Sequence, residues 1–461
     1  MIVRRLLNYV RRSPRLYPWL MTWVDRWPWL RAQLRDWVEN RAAPRPQPAA
    51  DWPEWHIQFT AAGQLPQHSL QTFWCGGYAA LLGQPLAEVI WPRRQLLVDV
   101  SDLVRFDLHT GIQRVVRNVL HHWLLDEAAA WQVEPVFEYH GRYYYARRYT
   151  CQWLGVECPS ELRDHSVSVK SGDVFVGLDW AMPMLERTEP LLQQWRQQGV
   201  KLNFVIYDLL PLTLPQYFPA AFASEMQQWL LRVARLGDHL SCISSTVAKE
   251  VEATLKAAHV SVPAINHFPL GSDLPAVPQQ PPPEITNKLT DQPVLLMVGT
   301  IDPRKGYEAV LQSMRQLWRL GVSVQLVIVG RPTSRVESVV AQLQQAHQSP
   351  NVPLLWHYDC DDACLEWWYQ RAQWLLAASE GEGYGLPLIE AARRGLPVIA
   401  RDLPVFREVA PPATMFFADN DQLTDVIQTA LQQPASDTET LLSMPTWEDS
   451  ARQLLQQSVG L

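Results

Sequence analysis

The sequence predicts an α/β protein of two doubly wound, Rossmann-like domains with an extra helical N-terminal segment. Three observations point there. From about residue 95 onward, short apolar runs alternate with stretches of helical period, the pattern of parallel sheets wrapped by helices. Several of these runs end in glycine-bearing strand-to-helix turns, most clearly at 299–306 and 379–386. The length of 461 residues, 47% of them hydrophobic, suffices for two full cores and an additional segment.

Charge and cysteine usage bound the function. A net charge of −7 argues against general nucleic-acid binding. It hides an asymmetry: residues 1–46 hold ten arginines against Asp25, Asp36 and Glu39, so this segment is +7 and the remainder −14. Six cysteines without paired zinc-type spacing fit a reducing compartment. With no secretory pattern and no run of about twenty apolar residues, the expectation is a cytoplasmic protein able to touch the inner face of the cytoplasmic membrane without crossing it.

Residues 1–50 are a basic, Trp-rich helical arm. Trp19, Trp23 and Trp27 share one helical face among the arginines, while Pro14, Pro18 and Pro28 cut the segment into short pieces. Two readings are open: an interfacial helix with indoles at headgroup level and arginines on anionic lipid, or an appendage packed on the protein's own body. Residues 51–92 are a linker and helical appendage with no evident role.

The first Rossmann-like domain is expected at 93–275. Strands fall near 96–100, 133–137, 174–177, 202–206, 239–243 and 265–268, with helices near 183–198, 219–236 and 245–257. Thr110-Gly111 ends the loop after the first strand, and the helix from Ile112 turns Val115, Val116, Val119 and Leu120 inward. Gln113 and Arg114 lie on its first turn. The run 203–206 leads into Tyr207-Asp208-Leu209, and ligands of doubly wound sheets bind at strand carboxyl ends. Asp208 is therefore a cleft candidate, as an acceptor-orienting group or as the cap of the following turn.

A proline-rich linker at 276–290 leads to a second domain at 291–440. Its first strand, 294–298, runs into Gly299-Thr300-Ile301-Asp302-Pro303-Arg304-Lys305-Gly306 and a helix. Strands near 324–329 and 354–358 follow, the first ending at Gly330. The aspartates around Cys360 and Cys364 have the composition of a divalent-metal cluster, yet their place before a helix favours Asp361 or Asp362 as an N-cap, so no metal is expected. The strand 374–378 then enters Ser379-Glu380-Gly381-Glu382-Gly383-Tyr384-Gly385-Leu386-Pro387. Such a turn leaves the first amides of the next helix unpaired and aims its dipole at a ligand, which makes a phosphate cradle. Glu382 precedes that helix and Glu390 lies about one turn inside it, so the two carboxylates stand apart along one cleft. A strand at 396–402, a loop at 405–409, and a C-terminal helix at 441–461 returning to the first domain complete the chain.

The stretch from Glu382 to Glu390 resembles the Glu-x7-Glu signature of the retaining family 4 glycosyltransferases, whose GT-B fold sets two Rossmann-like domains facing a cleft. The resemblance runs from about residue 95 to the end. Through Asp99-Val100-Ser101 and Thr110-Gly111-Ile112-Gln113-Arg114-Val115 it points to bacterial O-antigen and polysaccharide mannosyltransferase-like enzymes. It implies that Glu382 touches donor-sugar hydroxyls, that Gly383 and the amides of Tyr384, Gly385 and Leu386 meet the diphosphate, and that Glu390 meets the ribose. Arg304 and Lys305 would neutralise the diphosphate, with Thr300 standing where the family usually has an arginine. Gly330 would lie by the nucleobase, and Gly111 would face donor phosphates and acceptor. Thr110, Gln113 and Arg114 would form the acceptor side, with Asp208 beside Glu382, Arg304 and Lys305 in the catalytic set. Many relatives carry His-Asp where this chain has Tyr207-Asp208, which removes an imidazole.

The implied reaction is retaining transfer of a hexose, first mannose from GDP-mannose, to a glycan or lipid-linked oligosaccharide in polysaccharide or O-antigen synthesis. It implies no cofactor beyond the nucleotide sugar and no nucleic acid. Two other classes stay open: a non-catalytic sugar-nucleotide or glycan-binding subunit, and another GT-B enzyme such as an epimerase or phosphorylase. The four residues Glu382, Glu390, Arg304 and Lys305 together disfavour the first, and the Gly111 motif disfavours an epimerase.

Overall fold

The computed structural model describes residues 94–106, 110–125, 131–154, 164–180, 182–273, 290–333, 336–358, 360–433 and 444–460; the arm at 1–50, the appendage at 51–92 and nearly all of the proline-rich linker lie outside them. The chain divides into two compact units.

One unit takes in the described residues up to Leu212, then Ala221–Pro269, and the chain from Trp447 on. Its seven strands are β1 Arg94–Asp99, β2 Trp131–Tyr139, β3 Arg142–Tyr145, β4 Val174–Gly177, β5 Lys201–Ile206, β6 His239–Cys242 and β7 Ala264–His267, in the order β3-β2-β1-β4-β5-β6-β7. All neighbours are parallel except β2 and β3. Its first helices are α1 Ser101–Arg105, α2 Gly111–Leu125, α3 Arg147–Leu154, α4 Met182–Gln197, α5 Leu210–Thr213, α6 Ala220–Leu236 and α7 Ser245–Ala257. Leu97, Phe175, Leu202 and Leu240 are fully buried in the central strands, as expected where helices cover both faces.

The other unit holds Leu270–Thr446 together with the short segment Thr213–Ala220. Its strands are β8 Val294–Val298, β9 Gln325–Val329, β10 Leu354–His357, β11 Trp374–Ala377, β12 Val398–Arg401 and β13 Met415–Phe417, all parallel, in the order β10-β9-β8-β11-β12-β13. Its helices are α8 Tyr307–Arg319, α9 Glu337–Gln348, α10 Asp362–Arg371, α11 Leu386–Arg393, α12 Pro404–Val409 and α13 Asn420–Gln432. The last helix, α14 Trp447–Val459, packs in the first unit: Trp123 Nε1 donates to the Ala451 carbonyl at 2.8 Å, and Asn203 Nδ2 to the Ser458 carbonyl at 2.7 Å.

Each sheet has one place where its growth reverses, between β1 and β4 in the first and between β8 and β11 in the second. There the connections leave neighbouring strands in opposite directions, which opens a crevice beyond their carboxyl ends. This topology positions the candidate site.

Three sequence expectations change. Residues 405–409, read as a loop, are helix α12, with Pro404 in its first turn, where a missing N–H costs nothing. The hairpin of β2 and β3 was not anticipated. Cys360 and Cys364 are joined by a disulfide, which weakens the inference of a reducing compartment from cysteine usage; Cys151 and Cys242 are buried free thiols. Among the described residues no helix is long and apolar enough to cross a membrane.

Candidate active site

Strands β8 and β11 pair in parallel, with Leu295 opposite Trp374, so the loops 299–306 and 378–385 emerge side by side at the reversal of the second sheet. Asp302 caps the 3-10 turn Pro303–Lys305 by accepting from the Arg304 amide at 3.2 Å, and Thr333 Oγ1 donates to its other oxygen at 3.2 Å. Gly306 ends the turn with φ of 74°. A Cβ there would stand 2.5 Å from the Ala378 carbonyl oxygen, so the two loops meet backbone to backbone through a glycine.

That contact brings Arg304 and Lys305 onto Glu382. Arg304 Nη1 donates to the Gly381 carbonyl at 2.8 Å and to Glu382 Oε2 at 3.3 Å. Lys305 Nζ pairs with Glu382 Oε1, which also accepts from Ser379 Oγ at 2.7 Å. Burial by itself would raise the Glu382 pKa; the charges of Lys305 and Arg304, with the bonds from Lys305 and Ser379, outweigh it and bring it down to about 2. Glu382 is thus ionised at neutral pH. Two cations are thus held by one carboxylate beside a helix N-terminus.

Helix α11 begins next to them. Gly385 is its N-cap in a left-handed conformation, and Pro387 lies in the first turn. Among the described residues no acceptor faces the backbone N–H of Gly385 or Leu386, which leaves them for an anion. The Tyr384 side chain points elsewhere: its buried hydroxyl accepts from the Leu270 amide at 3.0 Å, and burial is the main reason its pKa is pushed up to about 12. Glu390, expected at a ribose, is 2% exposed and accepts from the Tyr369 hydroxyl at 2.6 Å.

Thr300 follows Gly299 at the end of β8, half-buried. Gly330, expected by a nucleobase, has both backbone groups occupied: its N–H donates to the His357 carbonyl at 2.9 Å and its carbonyl accepts from Trp356 Nε1 at 2.9 Å. A Cβ there would overlap the Gly299 oxygen at 1.7 Å, so its requirement is close packing of two strand ends. Asp361 is an N-cap, accepting from the Cys364 amide at 2.8 Å.

The first unit treats its candidates differently. Thr110 Oγ1 accepts from the Gln113 amide at 3.2 Å and so caps α2, whose first residue, Gly111, is exposed. Gln113 departs from the sequence reading: it is 1% exposed and its side-chain amide donates to the Phe106 carbonyl, so it ties down the loop before α2. Arg114 is half-buried on the same turn. Asp208 Oδ1 accepts from the Leu210 amide at 3.0 Å, the capping role among its two readings.

At the reversal between β1 and β4 lies a cluster the sequence reading passed over. Buried Asp99 accepts from the Ser101 amide at 2.9 Å and the Tyr143 hydroxyl at 2.8 Å. Asp179 accepts from the Leu103 and Trp180 amides at 2.7 and 2.8 Å. Burial, with the charges of Asp102 and Asp99, pushes the Asp179 carboxyl well above the usual range in spite of these bonds. The signal in the sequence was an aspartate ending one buried strand and a second two residues past another. A carboxyl whose folded pKa is raised contributes stability below its unfolded pKa of about 3.9 and loses it as pH rises through the folded value. Asp179→Asn should therefore gain in Tm relative to the wild type as pH rises from about 4 to 8; thermal melts giving a pH-independent difference would show that Asp179 stays ionised.

Residues 280–441 match the family described as Glycosyl transferases group 1. The chain is similar to the serotype-specific mannosyltransferase WbdA of Escherichia coli, 34% identical over 378 residues, which cover 78% of this chain and 44% of that protein. It is also 29% identical over 224 residues to the GDP-mannose-dependent monoacylated alpha-(1-6)-phosphatidylinositol monomannoside mannosyltransferase of Corynebacterium glutamicum, covering 45% and 56% of the two. This chain thus spans about half the length of these curated relatives. Its structure is similar to sucrose-phosphate synthase from Thermosynechococcus elongatus, with a TM-score of 0.55 at 17% identity over 79% of this chain and 98% of that one, a likeness of fold.

Proposed function

We propose, for a chain whose residues 280–441 belong to the glycosyl transferases group 1 and whose fold is of the GT-B type, that it transfers mannose from GDP-mannose to a glycan or lipid-linked oligosaccharide in surface-polysaccharide synthesis, with retention. The observation that carries this reading is the convergence of Arg304, Lys305 and Glu382 with the free amides of α11 at the reversal of the second sheet. The two mannosyltransferase relatives support the choice of sugar, and the second, GDP-mannose-dependent by name, supports the nucleotide.

In the reaction an acceptor hydroxyl attacks the anomeric carbon while the bond from that carbon to the diphosphate oxygen breaks. Its electron pair leaves with the diphosphate, where Arg304, Lys305 and the Gly385 and Leu386 amides meet the developing charge. The acceptor proton passes to the departing phosphate oxygen, the base on the same face as the new bond, which gives an α-linked product. Side chains and a helix end supply the neutralisation without a resident cofactor. Glu390 would reach the ribose by exchanging its bond to Tyr369.

The test incubates the full chain with GDP-mannose, with and without an α-mannoside oligosaccharide. GDP release that depends on the acceptor, with an α-linked product by NMR, is expected. A β-linked product would overturn retention. Nucleotide binding without release under a panel of hexose donors would favour a binding subunit, and isomerised donor without transfer would favour an epimerase.

A further inference from the structure

We infer that Tyr217 is a positioning residue for the loop that presents Glu382: by donating its hydroxyl hydrogen to Glu380 it fixes the segment between β11 and α11. The inference rests on the transferase reading above for what Glu382 does, and on the following geometry for what Tyr217 does.

Tyr217 ends a 3-10 turn, Pro215–Tyr217, in the short segment Thr213–Ala220 that belongs with the second unit. Its hydroxyl donates to Glu380 Oε2 across 163 positions of sequence. Burial, the bond to Glu380 and the Glu380 charge push the Tyr217 pKa up to about 12, so the hydroxyl keeps its proton and stays a donor throughout the working range. Glu380 is held a second time, through its backbone: its amide donates to the Arg304 carbonyl at 2.7 Å. One residue therefore links Tyr217 to the turn that carries both cations.

The other anchors of this segment come from the sheet's own loops. Arg401 Nε donates to the Ala378 carbonyl at 3.2 Å while its Nη2 donates to Asn420 Oδ1 at 2.6 Å, and Arg304 Nη1 holds the Gly381 carbonyl at 2.8 Å. The carbonyls of Ala378 and Gly381 are thus tied, and between them the Glu380 side chain is the one whose orientation depends on a distant part of the chain. A rigid aromatic stem with two rotatable bonds is suited to set that orientation, since a misplacement of about 1 Å at a reacting group can cost a hundredfold in rate. The Tyr217 hydroxyl bonds to Glu380, so it acts through Glu380 and would shift geometry without removing a phosphate contact.

The test compares Tyr217→Phe, Glu380→Ala, Glu380→Gln and the double variant Tyr217→Phe/Glu380→Ala. Tyr217→Phe and Glu380→Ala should each lower kcat about tenfold and leave donor KM and GDP affinity within about twofold, because the ground-state phosphate contacts remain. The double variant should fall no further than either single one, since both remove one interaction. Glu380→Gln keeps an acceptor oxygen for the tyrosine and should stay near wild type. In parallel, hydrogen exchange of the amides in 379–385 should quicken in Tyr217→Phe and not in Glu380→Gln. Unchanged kcat and unchanged exchange in Tyr217→Phe would overturn the inference, as would parallel losses of kcat, GDP affinity and Tm, the mark of a merely structural residue. Should the wild type fail to transfer any sugar, the transferase reading falls, and the exchange measurement alone then decides: faster exchange upholds the positioning role and unchanged exchange ends it.

Discussion

The double variant Arg304→Ala/Lys305→Ala should lose measurable transfer and bind GDP more weakly by two to four orders of magnitude. Each charge-assisted contact to phosphate is worth about 1.5 to 3 kcal/mol, and tenfold corresponds to about 1.4 kcal/mol. The same substitution strips Glu382 of both cations. Its pKa, held at about 2, would rise, and the stabilisation that the depressed value represents, roughly 3 kcal/mol at neutral pH, would disappear. In the wild type this contribution is present above the unfolded pKa of about 4.3 and fades as pH falls toward 2. The acid side of the stability profile should therefore flatten in the double variant. To keep lost binding apart from lost folding, a triple variant adding Glu382→Gln should recover Tm, because no unpaired buried charge is left, and should still fail to bind GDP. Calorimetry showing wild-type GDP affinity in either variant would remove these two residues from the phosphate site.

What the sequence made legible follows physical lines. The central strands of both sheets are unbroken apolar runs, and the loops at 299–306 and 379–386 carried their own glycines and charges, so both could be located before their contact was known. The contact itself is a property of strand order: β8 and β11 are 80 residues apart by their first members and become neighbours only through the reversal of the sheet. The β2–β3 hairpin had a signal that was passed over, Tyr139-His140-Gly141-Arg142 between aromatic runs, with His140 and Gly141 both at positive φ. Helix α12 is only six residues long, so it passed as a loop, although Pro404 marks a helix start. Gln113 was placed at an acceptor by family resemblance; its side chain satisfies the Phe106 carbonyl, a choice that periodicity cannot express. Tyr217 and Glu380 were illegible for a different reason, since a single hydrogen bond between distant loops leaves no local pattern.

The two glutamates should separate in the direction opposite to simple loss of function. Without ligand, Glu382 occupies the two cations that a diphosphate would use, so carboxylate and phosphate compete for them. Glu382→Gln removes the competitor and should tighten GDP binding a few-fold, while kcat falls on the order of a hundredfold, because the charge facing the reacting sugar is lost where positive charge develops. Glu390 instead accepts from the Tyr369 hydroxyl inside α11. Its replacement should raise donor KM and weaken GDP binding alike by roughly one to two orders of magnitude, the pattern of a contact present in ground and transition state. Alanine at this position would also leave the buried Tyr369 hydroxyl without its acceptor, at about 1 to 3 kcal/mol of stability. Glu390→Gln retains an oxygen for Tyr369 and is the cleaner probe, with Tyr369→Phe as the control for the broken bond alone. Calorimetric GDP titrations beside steady-state kinetics decide between the roles. Equal weakening of GDP binding by Glu382→Gln and Glu390→Gln would show that Glu382 does not compete with phosphate, and that the division of the site into a sugar end and a nucleotide end is wrong.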